Sequence, residues 1–173
     1  MSLNFRKVID EAQMKILADV AKEIWNEYYP GIITVEQVNY MVEKYQAADA
    51  ITKQITDEGY QYFMMLCGEE VMGYLGVKTD GDKLFLSKLY LKKKFRGKGY
   101  FSKMLLFAEH HAKKERLESL YLTVNKHNDS SIAVYQKKGF AITKEQKTDI
   151  GNGFVMDDYV MEKTLPLEQE QNA

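Results

Sequence analysis

One cysteine, Cys67, is all that 173 residues contain, so no internal disulfide can form, and Cys67 reads as a small buried hydrophobe. No apolar run is long enough to cross a bilayer, and the first residues lack a charged-then-apolar leader, which points to a cytoplasmic setting. Charge of one sign is missing too. The 24 Lys plus Arg against 25 Asp plus Glu leave a formal charge of -1, so no global field draws the chain to nucleic acid or an anionic membrane. Any basic feature must act locally. A metal pair is also missing, because His110 and His111 are helix neighbours rather than i, i+4 partners on one face.

What is present suits a globular chain, with 45% apolar and 28% charged residues. No repeat, linker or second domain is visible, so one domain is expected over residues 1–165, with 166–173 a disordered tail. The first third reads as a strand at 4–9 followed by helices at 11–29, 35–45 and 49–58, with Asp10 and Thr34 as caps. From Tyr60 the period changes, and residues 60–67, 71–80 and 83–92 form a meander of three strands. Gly73 and Gly76 inside the second of these mark a bulge or a close backbone approach. A helix at 100–116, a strand at 119–124 and a helix at 130–138 follow, the last ended by Gly139. Two final strands fit 140–147 and 156–163, with "DIGNG" as the loop between them.

Chemistry concentrates in "KKKFRGKG", residues 92–99, a glycine-rich turn between a strand and a helix. That arrangement converges backbone N–H groups on an anion, helped by the positive end of the helix dipole. It is neither a Walker A loop, having no Ser or Thr after Lys98, nor a G-x-G-x-x-G fingerprint. Taken alone it is equally a solvated basic turn.

Two spaced motifs carry more. "KFRGKG", residues 94–99, resembles the [QR]-x-x-G-x-[GA] loop of the GCN5-related N-acetyltransferase (GNAT) family, with Lys94 in place of Gln or Arg. "NDSSIAVYQKKGF", residues 128–140, is similar to that family's Asn-x-x-Ala-Ile-x-x-Tyr…Gly-Phe pattern, with Ser131 in place of Ala. The resemblance spans nearly the whole chain. It implies an α/β (α+β) fold: a mixed, mostly antiparallel sheet of six to seven strands flanked by helices, whose fourth and fifth strands splay to admit the pantetheine arm of acetyl-CoA.

The resemblance further implies that the main chain of Leu89 and Leu91 bonds the pantetheine. The N–H groups of Arg96, Gly97, Lys98, Gly99 and Tyr100, with Lys94 beside them, would hold the pyrophosphate. Asn128 would bond the cofactor arm. Tyr135 matches the family's general acid, which protonates the leaving sulfur, a task that suits a phenol protonated at rest. The amine acceptor must lose a proton, yet Ser87 and Lys88 stand where an acid is expected on the fourth strand. Candidates elsewhere are Glu27 with Tyr28 and Tyr29, Asn125 with His127, and Asp157 with Asp158, the last two favoured for holding the acceptor ammonium.

An acetyltransferase acting on a polyamine or other small amine is the expected activity. A protein lysine or N-terminal amine is an alternative acceptor, and an acyl-CoA-binding module without turnover an alternative class. A nucleic-acid binder fits less well, since residues 92–98 lack interleaved aromatics. A homodimer is compatible with the resemblance, because many members pair through late strands.

Overall fold

The computed structural model describes residues 2–166. Of the expected tail, 167–173 lie outside the described residues. A seven-stranded sheet runs in the order β1-β2-β3-β4-β5-β7-β6, antiparallel throughout except where β4 meets β5 in parallel. Its strands are β1 Leu3–Lys7, β2 Tyr60–Cys67, β3 Glu70–Asp80, β4 Lys83–Leu91, β5 Ser119–Asn125, β6 Ala141–Gly151 and β7 Phe154–Thr164.

Helices α1 (Glu11–Tyr28), α2 (Val35–Met41) and α3 (Ala48–Asp57) precede the meander, α4 (Tyr100–Lys114) follows β4, and α5 (Asp129–Lys137) follows β5. None among the described residues is long and apolar enough to cross a membrane. Asp10 opens α1 with a reciprocal capping box: its Oδ1 accepts from Gln13 N–H (2.7 Å), and Gln13 Oε1 accepts from Asp10 N–H (3.2 Å).

β2 explains how the layers form. Tyr62, Met64 and Leu66 pack toward α1 and α3, while Phe63 and Met65 join the core under α4. Burial on both faces turns its sequence into a near-continuous apolar run. Gly73 earns its place in β3, since a Cβ there would sit 2.1 Å from the Tyr90 carbonyl oxygen.

Two expectations change. The helix expected over 35–45 is two pieces: after Met41 the chain widens into a π-helical turn, Val42–Gln46, which buries Val42 and Gln46. Tyr74 O–H, itself accepting from Trp25 Nε1–H (3.0 Å), donates to Gln46 Oε1 (2.9 Å) and fixes that turn. The "DIGNG" loop is mostly strand: β6 runs on to Gly151, and the hairpin turns at Asn152 and Gly153, both at positive φ. The added length docks on α2, where Ile150 is buried and its carbonyl accepts from Tyr40 O–H (2.8 Å) and Lys44 Nζ.

Candidate active site

The β4 strand stops pairing with β5 after Phe85, whose partner is Tyr121. Within β4, Ser87 has no opposite residue on β3, because Leu86 faces Val77 and Lys88 faces Gly76; this bulge bends the strand away. Beyond it, Lys92 N–H donates to the Met72 carbonyl (2.8 Å). Leu91 opposite Gly73 and Leu89 opposite Leu75 are therefore the non-hydrogen-bonded pairs, and their main-chain groups turn from β3 toward the opening. The Leu91 carbonyl already accepts from Arg96 Nε–H at 3.0 Å.

The chain then makes a 3-10 turn, Lys93–Phe95, and enters the glycine loop. Arg96 N–H donates to the Lys93 carbonyl (3.2 Å), so it is not free for a ligand as expected. The N–H groups of Gly97, Lys98, Gly99 and Tyr100 donate to no backbone carbonyl among the described residues. Gly97 (φ 74°) and Gly99 (φ 85°) hold left-handed conformations that favour glycine, and Gly99 caps α4 with no side chain in the way. Lys138 adds a cation beside α4, its Nζ donating to Ser102 Oγ at 2.6 Å. Lys94, in contrast, is exposed and paired with Glu70. Lys98 and Tyr100 also lie outside the cavity lining.

Opening and loop belong to one cavity of about 1130 Å³ that continues between α1, α3 and the β6–β7 hairpin. Tyr135 is buried in its wall, edge-on between Phe101 and Phe140 at 5.6 Å from each, and burial, reinforced by nearby Tyr29 and Tyr28, pushes its phenol above the ordinary range. It stays protonated at neutral pH. Asn128 is buried and caps α5, its Oδ1 accepting from Ser131 N–H (3.3 Å) and from Tyr28 O–H (2.9 Å). Tyr28 also shares a 2.6 Å hydrogen bond with Ser131 Oγ and lies 4.8 Å beneath the Arg96 guanidinium. Helix α1, the glycine loop and α5 are thus tied across the cavity, and Asn128 Nδ2 makes no hydrogen bond among the described residues.

At the far end, Asp158 lines the cavity at 4% exposure. Burial, followed by repulsion from Asp157, raises its carboxyl to about 6. Asp157, on the other side of the strand, pairs with Lys126 at 3.1 Å. Asn125 also lines the cavity, its Oδ1 accepting from His127 N–H. Glu27 does not line it; its carboxylate accepts from Lys93 N–H at 3.3 Å. The residues that sequence reasoning missed are Tyr90, whose hydroxyl shares a 2.8 Å bond with that of the expected Tyr29, and Gln46, which reaches the lining. The signal for Tyr90 was available in the alternation of β4, which puts it on the face opposite Leu89, where it packs on Trp25 and Tyr74.

A model of the acetyltransferase (GNAT) family matches residues 18–140. The chain is 29% identical over 161 residues to the spermidine N(1)-acetyltransferase of Thermoplasma acidophilum, covering 91% of this chain and 97% of that protein. Among solved structures, the PaiA N-acetyltransferase of Thermoplasma acidophilum in complex with coenzyme A matches with a TM-score of 0.78 at 24% identity, covering 95% of this chain and 100% of that one. A GCN5-related N-acetyltransferase from Rhodopseudomonas palustris matches with a TM-score of 0.79 at 13% identity, covering 95% and 97%. These structural likenesses carry the fold.

Proposed function

Since the chain belongs to the GNAT acetyltransferase family and uses acetyl-CoA as cosubstrate, we propose that it acetylates a small primary amine held at the Asp158 end of the cavity. The observation carrying this reading is one continuous cavity with loop N–H groups at one end and a buried carboxyl at the other, both without partners among the described residues.

Acetyl-CoA supplies the activated thioester. Gly97, Lys98, Gly99 and Tyr100 present N–H groups to its pyrophosphate, and the main chain of Leu89 and Leu91 borders the pantetheine. A β4 N–H facing the opening stabilises negative charge on the thioester oxygen as nitrogen attacks. Asp158, once ionised, attracts the ammonium and takes up its proton directly or through water. Tyr135 gives its proton to the departing sulfur. A polyamine is the favoured acceptor: Asp57 and Glu58 join Asp158 in the lining, the rings of Trp25, Tyr29 and Tyr60 border the same cavity, and the Thermoplasma relative carries spermidine in its name.

The absence of an acid at Ser87 and Lys88 favours a second reading, an acyl-CoA-binding module without turnover. Thiol release from acetyl-CoA across polyamines, aminoglycosides, amino acids and peptides decides between them. Turnover on small amines supports the proposal. Acetyl-CoA binding with no turnover on any of them supports the module, and turnover on peptides alone would move the acceptor to protein amines.

A further inference from the structure

Lys88 is a cavity-lining amine on β4 that the acetyl-transfer reading leaves unused. It follows the bulge residue Ser87, precedes Leu89 at the opening, and lines the same cavity as Tyr135 and the glycine loop. Its stem is packed: a Cβ on Gly76 would lie 3.1 Å from Lys88 Cγ and 2.8 Å from the Tyr62 ring, so the glycine makes room for both. Its Nζ donates to Ser87 Oγ at 2.5 Å and sits 5.7 Å from the Tyr60 ring centroid. No carboxylate among the described residues reaches it at ion-pair distance, whereas Lys83, Lys92, Lys94, Lys126 and Lys163 are all paired.

We propose that Lys88 is a self-acetylation site, to which the enzyme transfers acetyl from its own bound acetyl-CoA when no acceptor amine fills the cavity. The inference rests on the acetyl-transfer reading above. Nζ, as the free amine, forms the C–N bond as the C–S bond breaks; it gives up one proton, and the departing sulfur gains one to leave as the thiol. No oxidant or further reactant is needed. Chemistry supports the choice of residue: burial, opposed weakly by Glu58, lowers the Lys88 ammonium to about 8. Roughly a quarter of it is then free amine at pH 7.5, against about one part in a thousand for an ordinary lysine. Acetylation would remove a cation from the acceptor end and change which amines are admitted.

The test is intact-mass analysis and peptide mapping of the full chain incubated with acetyl-CoA alone. The expected result is a single added acetyl group on Lys88, formed at a rate independent of protein concentration, suppressed by excess free CoA or an acceptor amine, and abolished in Lys88→Arg. Labelling of Lys88 no faster than that of exposed Lys15 would overturn the proposal, as would an unmodified Lys88 in a sample that acetylates a free amine. An unmodified Lys88 in a sample that binds acetyl-CoA but turns over no amine overturns both readings. Acetyl-Lys88 without amine turnover supports this one and overturns only the small-amine acceptor. Mapping of the unmutated chain decides the matter even where Lys88→Arg folds poorly.

Discussion

At the loop end of the cavity the groups offered to a ligand are backbone N–H groups set by Gly97 and Gly99, whereas at the Asp158 end they are side chains brought from α1, β4, β5 and β7. The first end is a local structure: a short stretch of chain and the start of one helix suffice to build it. The second exists only after strands distant in sequence have paired in register. A cosubstrate site of the first kind tolerates sequence change around its glycines, while an acceptor site of the second kind can be remade by a single strand residue. Tyr135 lines the same cavity, and substitutions that separate the roles of the two ends test the contrast.

Replacing Tyr135 with Phe removes the proposed proton donor and keeps the ring packed between Phe101 and Phe140. The expected outcome is a fall in kcat of roughly 10²- to 10⁴-fold, with KM for acetyl-CoA unchanged, read by thiol release at saturating amine. An equal loss in thermal stability would instead make Tyr135 a core residue.

Asp158→Asn tests the acceptor end. Loss of a charged hydrogen-bond partner costs about 1.5–3 kcal/mol, or roughly 10- to 100-fold in KM for the amine, with acetyl-CoA binding preserved. The pH dependence runs in two directions. The carboxyl must ionise to hold an ammonium, so kcat/KM for the amine rises with pH through about 6, and the variant loses that limb. Folding responds oppositely. Because the folded chain holds this proton more tightly than the unfolded one, the stabilisation is full below about pH 4 and is lost as pH rises through about 6. Asp158→Asn should therefore melt higher than the unmutated protein at pH 8 and match it near pH 4, a case of function held at the expense of stability.

These two ends also differ in how far the sequence revealed them. The glycine loop and Gly139 after α5 were readable because each is a local conformation with its own residue preference. The choice between Asp157 and Asp158 was not, since adjacent strand residues point to opposite faces and the register of β7 against β5 and β6 selects the inward one. Glu27 was misleading for a related reason: it stands next to Tyr28 at the end of α1, but the 3-10 turn after β4 supplies an N–H that claims its carboxylate. The bulge at Ser87, which aims Leu89 and Lys88, left its trace on the partner strand, where Gly76 stands at the register shift opposite Lys88; which β4 residue is the extra one depends on the pairing with β3.

Gly97→Ala tests the loop end. No atom lies within 4 Å of the added Cβ, so the cost is conformational: a residue at φ 74° pays about 1–2 kcal/mol. KM for acetyl-CoA should rise about tenfold while KM for the amine stays put. A rise in both would mean that the loop also shapes the acceptor end.

Lys94→Ala gives the smallest expected effect, and it bears directly on what the loop motif means. Lys94 occupies the position at which the family pattern has Gln or Arg, and its charge invites a role in phosphate binding. Its side chain instead reaches Glu70 at the surface, with more than half of it exposed, and exposed pairs of this kind contribute about 1 kcal/mol or less. If backbone N–H groups hold the pyrophosphate, KM for acetyl-CoA should change by less than about twofold. A tenfold rise would show that Lys94 leaves Glu70 when acetyl-CoA arrives, and the loop end would then depend on a side chain as the Asp158 end does.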